Sequence, residues 1–135
     1  GTLVNHAECQ MSWEDIESTI KRCKEVGLST VLCTADVEAT ERGATLNPDM
    51  VAVEPPELIG GDISVSTAKP EVISESVDAV NAINSEIPVL CGAGVKTKSD
   101  VSKAISLGSQ GILLASGVVK SLKPREVLTN LIQGL

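Results

Sequence analysis

Short apolar runs alternate with longer amphipathic segments along the whole chain. The first run covers residues 1–6 and ends in His6. Ser12 then reads as a helix N-cap, and Glu14 and Asp15 sit in the first turn, where negative charge suits the positive end of the helix dipole. Trp13, Ile16, Ile20 and Cys23 fall on one helical face, and Gly27 supplies the stop. The rhythm repeats with an apolar run at 29–34, a shorter helix over 36–44 and a turn at Asn47-Pro48. A third strand over 50–53 closes with Glu54-Pro55-Pro56 and leads into a glycine-containing loop. Pro70 opens a helix to about residue 84, with Val72, Ile73, Val77, Val80 and Ile83 as its apolar positions. Strands over 87–91 and 111–114 end in Gly92-Ala93-Gly94 and Ala115-Ser116-Gly117. Thr97 caps the helix between them, which stops at Gly108, and a short helical turn and a helix over 124–133 close the chain.

Five strands alternating with helices at this spacing predict an α/β fold of parallel (β/α) repeats, because right-handed crossovers place the helices outside one sheet. No linker, repeat or charge block divides the chain, so residues 1–135 read as one domain. An open doubly wound sheet and part of a (β/α)8 barrel both fit this pattern. A complete barrel takes roughly 250 residues, so 135 residues make at most about five of its eight units.

Composition narrows the choice of partners. There is one Trp and no Phe or Tyr, so the core is built from branched aliphatic residues and alanine, as suits buried parallel strands. The same lack argues against nucleic-acid modules that stack bases on aromatic rings. A net charge of −7 repels nucleic-acid backbones and anionic membranes, and no long apolar span or signal peptide is evident. A small phosphate remains possible as a ligand, because backbone N–H groups bind it whatever the global charge. The four cysteines form no C-x-x-C pair and no zinc-like spacing with the one histidine, which predicts reduced, buried thiols of a cytoplasmic protein and no metal site.

The chemistry collects at the ends of the strands. His6 closes the first, Glu54 the third, Gly92-Ala93-Gly94 the fourth and Ala115-Ser116-Gly117 the fifth. In a barrel such ends converge on one face, and in an open sheet they form a crevice. Asn5 and Glu8 flank His6, and a neighbour of this kind fixes one tautomer of the ring. Glu54 directly follows the apolar run M-V-A-V, where desolvation raises a carboxylate's pKa toward that of a useful base. Pro55 and Pro56 stiffen the start of the loop after it, as a hinged lid requires. The small-residue turns, Gly60-Gly61 included, admit a ligand close to the backbone, and the last one is placed to open a short helix toward a phosphate. Lys96 and Lys98 read as surface charges.

Four segments carry a resemblance. N-H-A-E at residues 5–8, V-A-V-E-P-P-E-L-I-G at 51–60, V-L-C-G-A-G-V at 89–95 and G-I-L-L-A-S-G-V-V-K at 111–120 resemble archaeal-type triosephosphate isomerase, in that family's order and spacing. The resemblance implies a partial TIM barrel, strands four to eight, whose substrate is a small phosphorylated triose. It implies interconversion of dihydroxyacetone phosphate and glyceraldehyde 3-phosphate through an enediolate, with neither metal nor cofactor. Residue by residue it makes Glu54 the base and His6 the neutral electrophile. Ile59 and Gly60 become lid residues, and Gly94, Ala115 and Ser116 become phosphate-binding positions. Three departures stand out. Ala7 occupies the place of a serine, Gly60-Gly61-Asp62 replaces the usual end of the lid, and a strand-one lysine and asparagine have no counterpart. These 135 residues alone are therefore expected to be weakly active or inactive, and to self-associate through open strand edges. Two other readings fit less of the sequence: a different phosphate-binding barrel enzyme, and a half-barrel with only a structural or assembly role.

Overall fold

A computed structural model describes residues 1–61 and 63–135. Its centre is one sheet of β1 (Thr2–Val4), β2 (Thr30–Thr34), β3 (Met50–Val53), β4 (Val89–Gly92) and β5 (Gly111–Leu113), all parallel and side by side in chain order. This order decides between the two predicted architectures. A doubly wound sheet reverses direction at a switch point, whereas here each strand adds beside the last, as in a barrel wall.

The major helices are α1 (Trp13–Glu25), α2 (Val37–Ala44), α4 (Pro70–Asn84), α5 (Lys98–Ser106) and α7 (Pro124–Ile132). Their starts follow local chemistry. Ser12 accepts from the Asp15 N–H and Asp36 from the Ala39 N–H, while Thr97 and Asp100 form a reciprocal capping box. Pro70 and Pro124 stand at the first helical positions, where the missing N–H costs nothing. Gly27, at φ +72, follows α1 in the left-handed conformation that ends helices. Two short helices, α3 (Val65–Ala68) and α6 (Ser116–Val119), and a 3-10 turn at Pro56–Leu58 complete the set. α3 and the 3-10 turn fall in the stretch that the sequence pattern assigns to loop.

Side chains alternate across the strands. Leu32, Val51, Val53, Val89 and Cys91 face the helices and are buried. With Ile73, Val77, Val80, Val101 and Ala104 most of them build the main core, and Val4, Ile16, Ile20 and Leu32 form a second cluster under α1. Positions one residue on face the other side of the sheet. Leu3 is 47% exposed there and Met50 37%. Glu54, two residues beyond Ala52, belongs to this concave face and stands at its C-terminal rim.

Candidate active site

His6 and Glu54 meet across the end of β2. The Nε2 of His6 lies 3.7 Å from Oε2 of Glu54. That is too long for a good hydrogen bond, but it puts both groups within reach of adjacent atoms of one small molecule. Each is held from behind. The Glu8 backbone N–H donates to Nδ1 of His6 at 3.3 Å, which leaves the ring proton on Nε2, the nitrogen that faces Glu54. The Glu8 carboxylate is not the group that fixes the tautomer, since it is 89% exposed and 4.0 Å from the ring. Asn5 does its work further back. At φ +62 it donates from Nδ2 to the Cys33 carbonyl and accepts the Met11 N–H at 2.9 Å, so it ties the His6 loop to β2.

Glu54 is rigidly placed and poorly solvated. Its N–H donates to the Thr34 carbonyl at 2.8 Å, so its backbone still belongs to the sheet ladder. Burial pushes its carboxyl pKa up, and a hydrogen bond from the Cys33 thiol and the nearby His6 pull it part of the way back. Its Oε2 is buried without a hydrogen-bond partner among the described residues. Burial and the same carboxylate push the Cys33 thiol above the usual cysteine range, and burial pushes Cys91 up to about 12, so neither behaves as a thiolate near neutrality.

Gly92 plays a part that its place in a glycine-rich turn does not suggest. The register pairs Val53 with Cys91, so the next positions, Glu54 and Gly92, are neighbours on the concave face. A Cβ on Gly92 would lie 2.4 Å from Cγ of Glu54 and 2.5 Å from Oε1. Gly92 is the space that the carboxylate occupies. Gly94, at φ +72, lies against the loop after β3: a Cβ there would fall 2.2 Å from the Ile63 carbonyl oxygen. The Val65 N–H also donates to the Ala93 carbonyl, so the far end of that loop rests on this turn. At the near end, Pro55 and Pro56 lead into the 3-10 turn, and Glu57 forms an ion pair with Lys69 just before α4. The departure at Asp62 lies outside the described residues.

A cavity of about 450 Å³ joins these parts. His6, Glu8, Glu54, Ile59, Gly60, Gly94, Ala115 and Ser116 all line it, so eight of the nine candidate residues share one space. Asn5 stands apart, in a smaller recess behind Glu54 with Ala7 and Cys33. Lys96 and Lys120 also line the main cavity. The sequence pattern treats Lys96 as a surface charge and passes over Lys120. Among the described residues, no group of three or more His, Cys, Asp or Glu is placed to hold a metal ion.

With this geometry the comparisons with known proteins become decisive. Residues 1–134 match the family model described as triosephosphate isomerase. The chain belongs to the triosephosphate isomerase family. It is 53% identical over 133 residues to triosephosphate isomerase of Methanosarcina acetivorans, covering 98% of this chain and 60% of that protein. The corresponding enzyme of Methanothermobacter thermautotrophicus is 52% identical over 132 residues, covering 98% and 58%. That of Archaeoglobus fulgidus is 51% identical over 132 residues, covering 98% and 59%. The chain thus spans about 60% of the length of these triosephosphate isomerases. Solved structures of other proteins share the fold. A mandelate oxidase superposes with TM-score 0.70 at 23% identity over 93% of this chain and 38% of its own. The flavin-binding domain of baker's yeast flavocytochrome b2 superposes with TM-score 0.66 at 22% identity over 92% and 32%. At such identities the likeness shows the fold alone.

Proposed function

We propose that this chain carries the proton-transfer and phosphate-holding parts of a site that interconverts dihydroxyacetone phosphate and glyceraldehyde 3-phosphate. The observation that supports this best is the pairing of a desolvated carboxylate with an imidazole whose Nε2 lies 3.7 Å from it. The reaction needs a base that takes a proton from the carbon beside a carbonyl and returns it to the neighbouring carbon. Glu54 supplies that base, with its pKa raised by burial into a more useful range. It also needs a donor to the carbonyl oxygen as negative charge develops there. His6 supplies that donor from Nε2 while Nδ1 is held by the Glu8 amide. The turns at Gly94 and at Ala115-Ser116 line the same cavity, and their backbones hold the phosphate. Ile59 and Gly60 cover the substrate and keep water from the enediolate.

The relatives' family resemblance assigns a lysine and an asparagine to a strand with no counterpart in these 135 residues, so turnover by this chain alone is expected to be slow. Exchange is the sensitive measurement. In D2O the chain should exchange the hydroxymethyl protons of dihydroxyacetone phosphate faster than buffer does. Glu54→Gln should lower that rate by about 10²–10⁴-fold, the usual worth of a general base. Exchange at an undiminished rate in Glu54→Gln would remove Glu54 from the reaction and the reading with it. Four unpaired cysteines, three of them buried, also support a reducing compartment, and we place the protein in the cytoplasm. Self-association through the sheet edges completes the proposal.

A further inference from the structure

We propose that Lys120 is the side-chain cation that binds the substrate phosphate in this chain. The inference rests on the isomerase reading and names a residue for its anionic end. Charge around the cavity is segregated by strand. The acidic side chains, Glu8 and Glu54, belong to the loop after β1 and the end of β3. The lysines, Lys96 and Lys120, follow β4 and β5. A ligand with an uncharged reactive end and an anionic tail fits this polarity in only one direction, with its tail toward β5. In a chain of net charge −7, with two carboxylates on the cavity wall, a dianion needs a local cation to offset the repulsion.

Of the two lysines, Lys96 already has a partner. Lys120 is exposed, and no ion pair or side-chain hydrogen bond engages its ammonium among the described residues. Its neighbour Lys123 is different, being paired with Glu126 at 3.0 Å. Lys120 ends α6, and its backbone N–H donates to the Ser116 carbonyl at 3.1 Å, so it stands one turn beyond Ser116. Helical Cα–Cβ bonds tilt toward the N-terminus, so a side chain at this position leans back over the turn that carries Ser116. Gly117 puts no side chain in the way. A lysine on a flexible stem is an effective point charge for a phosphate.

The test uses the whole chain and needs no turnover. Amide shifts of Gly94, Ser116 and Gly117 are followed by NMR while inorganic phosphate, dihydroxyacetone phosphate or neutral dihydroxyacetone is added. Saturable shifts are expected with the two phosphates. Lys120→Gln, which removes the charge and keeps a polar side chain, should weaken dihydroxyacetone phosphate by about tenfold or more, as for a charge-assisted hydrogen bond. Lys120→Arg should stay within about threefold of the parent, Lys96→Gln should lose less than Lys120→Gln, and the Lys120→Gln deficit should shrink as salt is raised. Undiminished phosphate binding by Lys120→Gln would overturn the proposal. So would an equal loss for neutral dihydroxyacetone, an equal or larger loss in Lys96→Gln, or the absence of saturable phosphate shifts in the parent. The isomerase reading fails separately, when Glu54→Gln leaves proton exchange unchanged.

Discussion

Burial that raises a carboxylate's pKa also costs the fold, and Glu54 carries both effects. Glu54 is 7% exposed and has one oxygen without a hydrogen-bond partner among the described residues. Its pKa is raised from 4.5, chiefly by burial. Between that ordinary value and its raised one, the folded chain holds a proton that the unfolded chain has lost, so stability falls as pH rises through this interval. Glu54→Gln removes the titration. The variant should be more stable than the parent at pH 8, and the advantage should shrink toward pH 4, as read from urea midpoints at the two values. An advantage independent of pH would mean that the carboxylate is not desolvated. Gly92 bears on the same side chain from the opposite direction. Because a Cβ at Gly92 meets Glu54 at 2.4 Å, Gly92→Ala should push the base aside without unfolding the sheet. A displacement of about 1 Å is worth roughly 10²-fold in rate, so exchange into dihydroxyacetone phosphate should fall by that order while circular dichroism stays unchanged. An active Gly92→Ala chain would show that Glu54 works from some other position.

At the scale of elements, what could be read in advance was what is locally encoded. Ser12, Asp36 and Thr97 cap helices through their own side chains, and Pro70 and Pro124 start helices through their own rings, so each start is written within a few residues. Strand β4 begins later than its apolar run because Pro88 has no N–H, although its carbonyl accepts from Val51. Helix α3 was not legible, since Val65–Ala68 has no amphipathic period. Contacts from elsewhere hold it: Val65 donates its N–H to Ala93, and Ser66 bonds the Asp100 carbonyl at 3.2 Å. The site divides in the same way. His6 and Glu54 were visible as strand ends, whereas the role of Gly92 depends on the β3–β4 register, and that of Lys120 on which face α6 turns to the cavity. Helix α4 supports a prediction of its own. Ser76 is fully buried there and its hydroxyl has no hydrogen-bond partner among the described residues. Ser76→Ala removes an unsatisfied polar group and improves helix propensity, and should raise unfolding stability by about 1 kcal/mol. A destabilised variant in urea titration would show that the hydroxyl has a partner in solution.

Residues 1–135 form a barrel wall whose two outer strands each pair on one side only among the described residues. β1 pairs only with β2 and β5 only with β4, so each leaves one row of backbone donors and acceptors unpaired among the described residues. The concave face carries exposed Leu3 and Met50, and beside β5 Val119 and Leu122 are 77% and 101% exposed. Open parallel edges next to apolar surface favour pairing with another chain. A polypeptide of these 135 residues should therefore sediment above its 14.0 kDa monomer mass at micromolar concentration, with the fraction of larger species rising with concentration. Lysine on the concave face counters this, because burying an ammonium against another sheet is costly. Leu3→Lys combined with Met50→Lys should shift the distribution toward monomer while leaving the helix-side core, which neither residue joins, intact. A single monomeric boundary for the parent chain across the concentration range would mean that water satisfies the edges well enough, and that the five-stranded wall is stable without a partner.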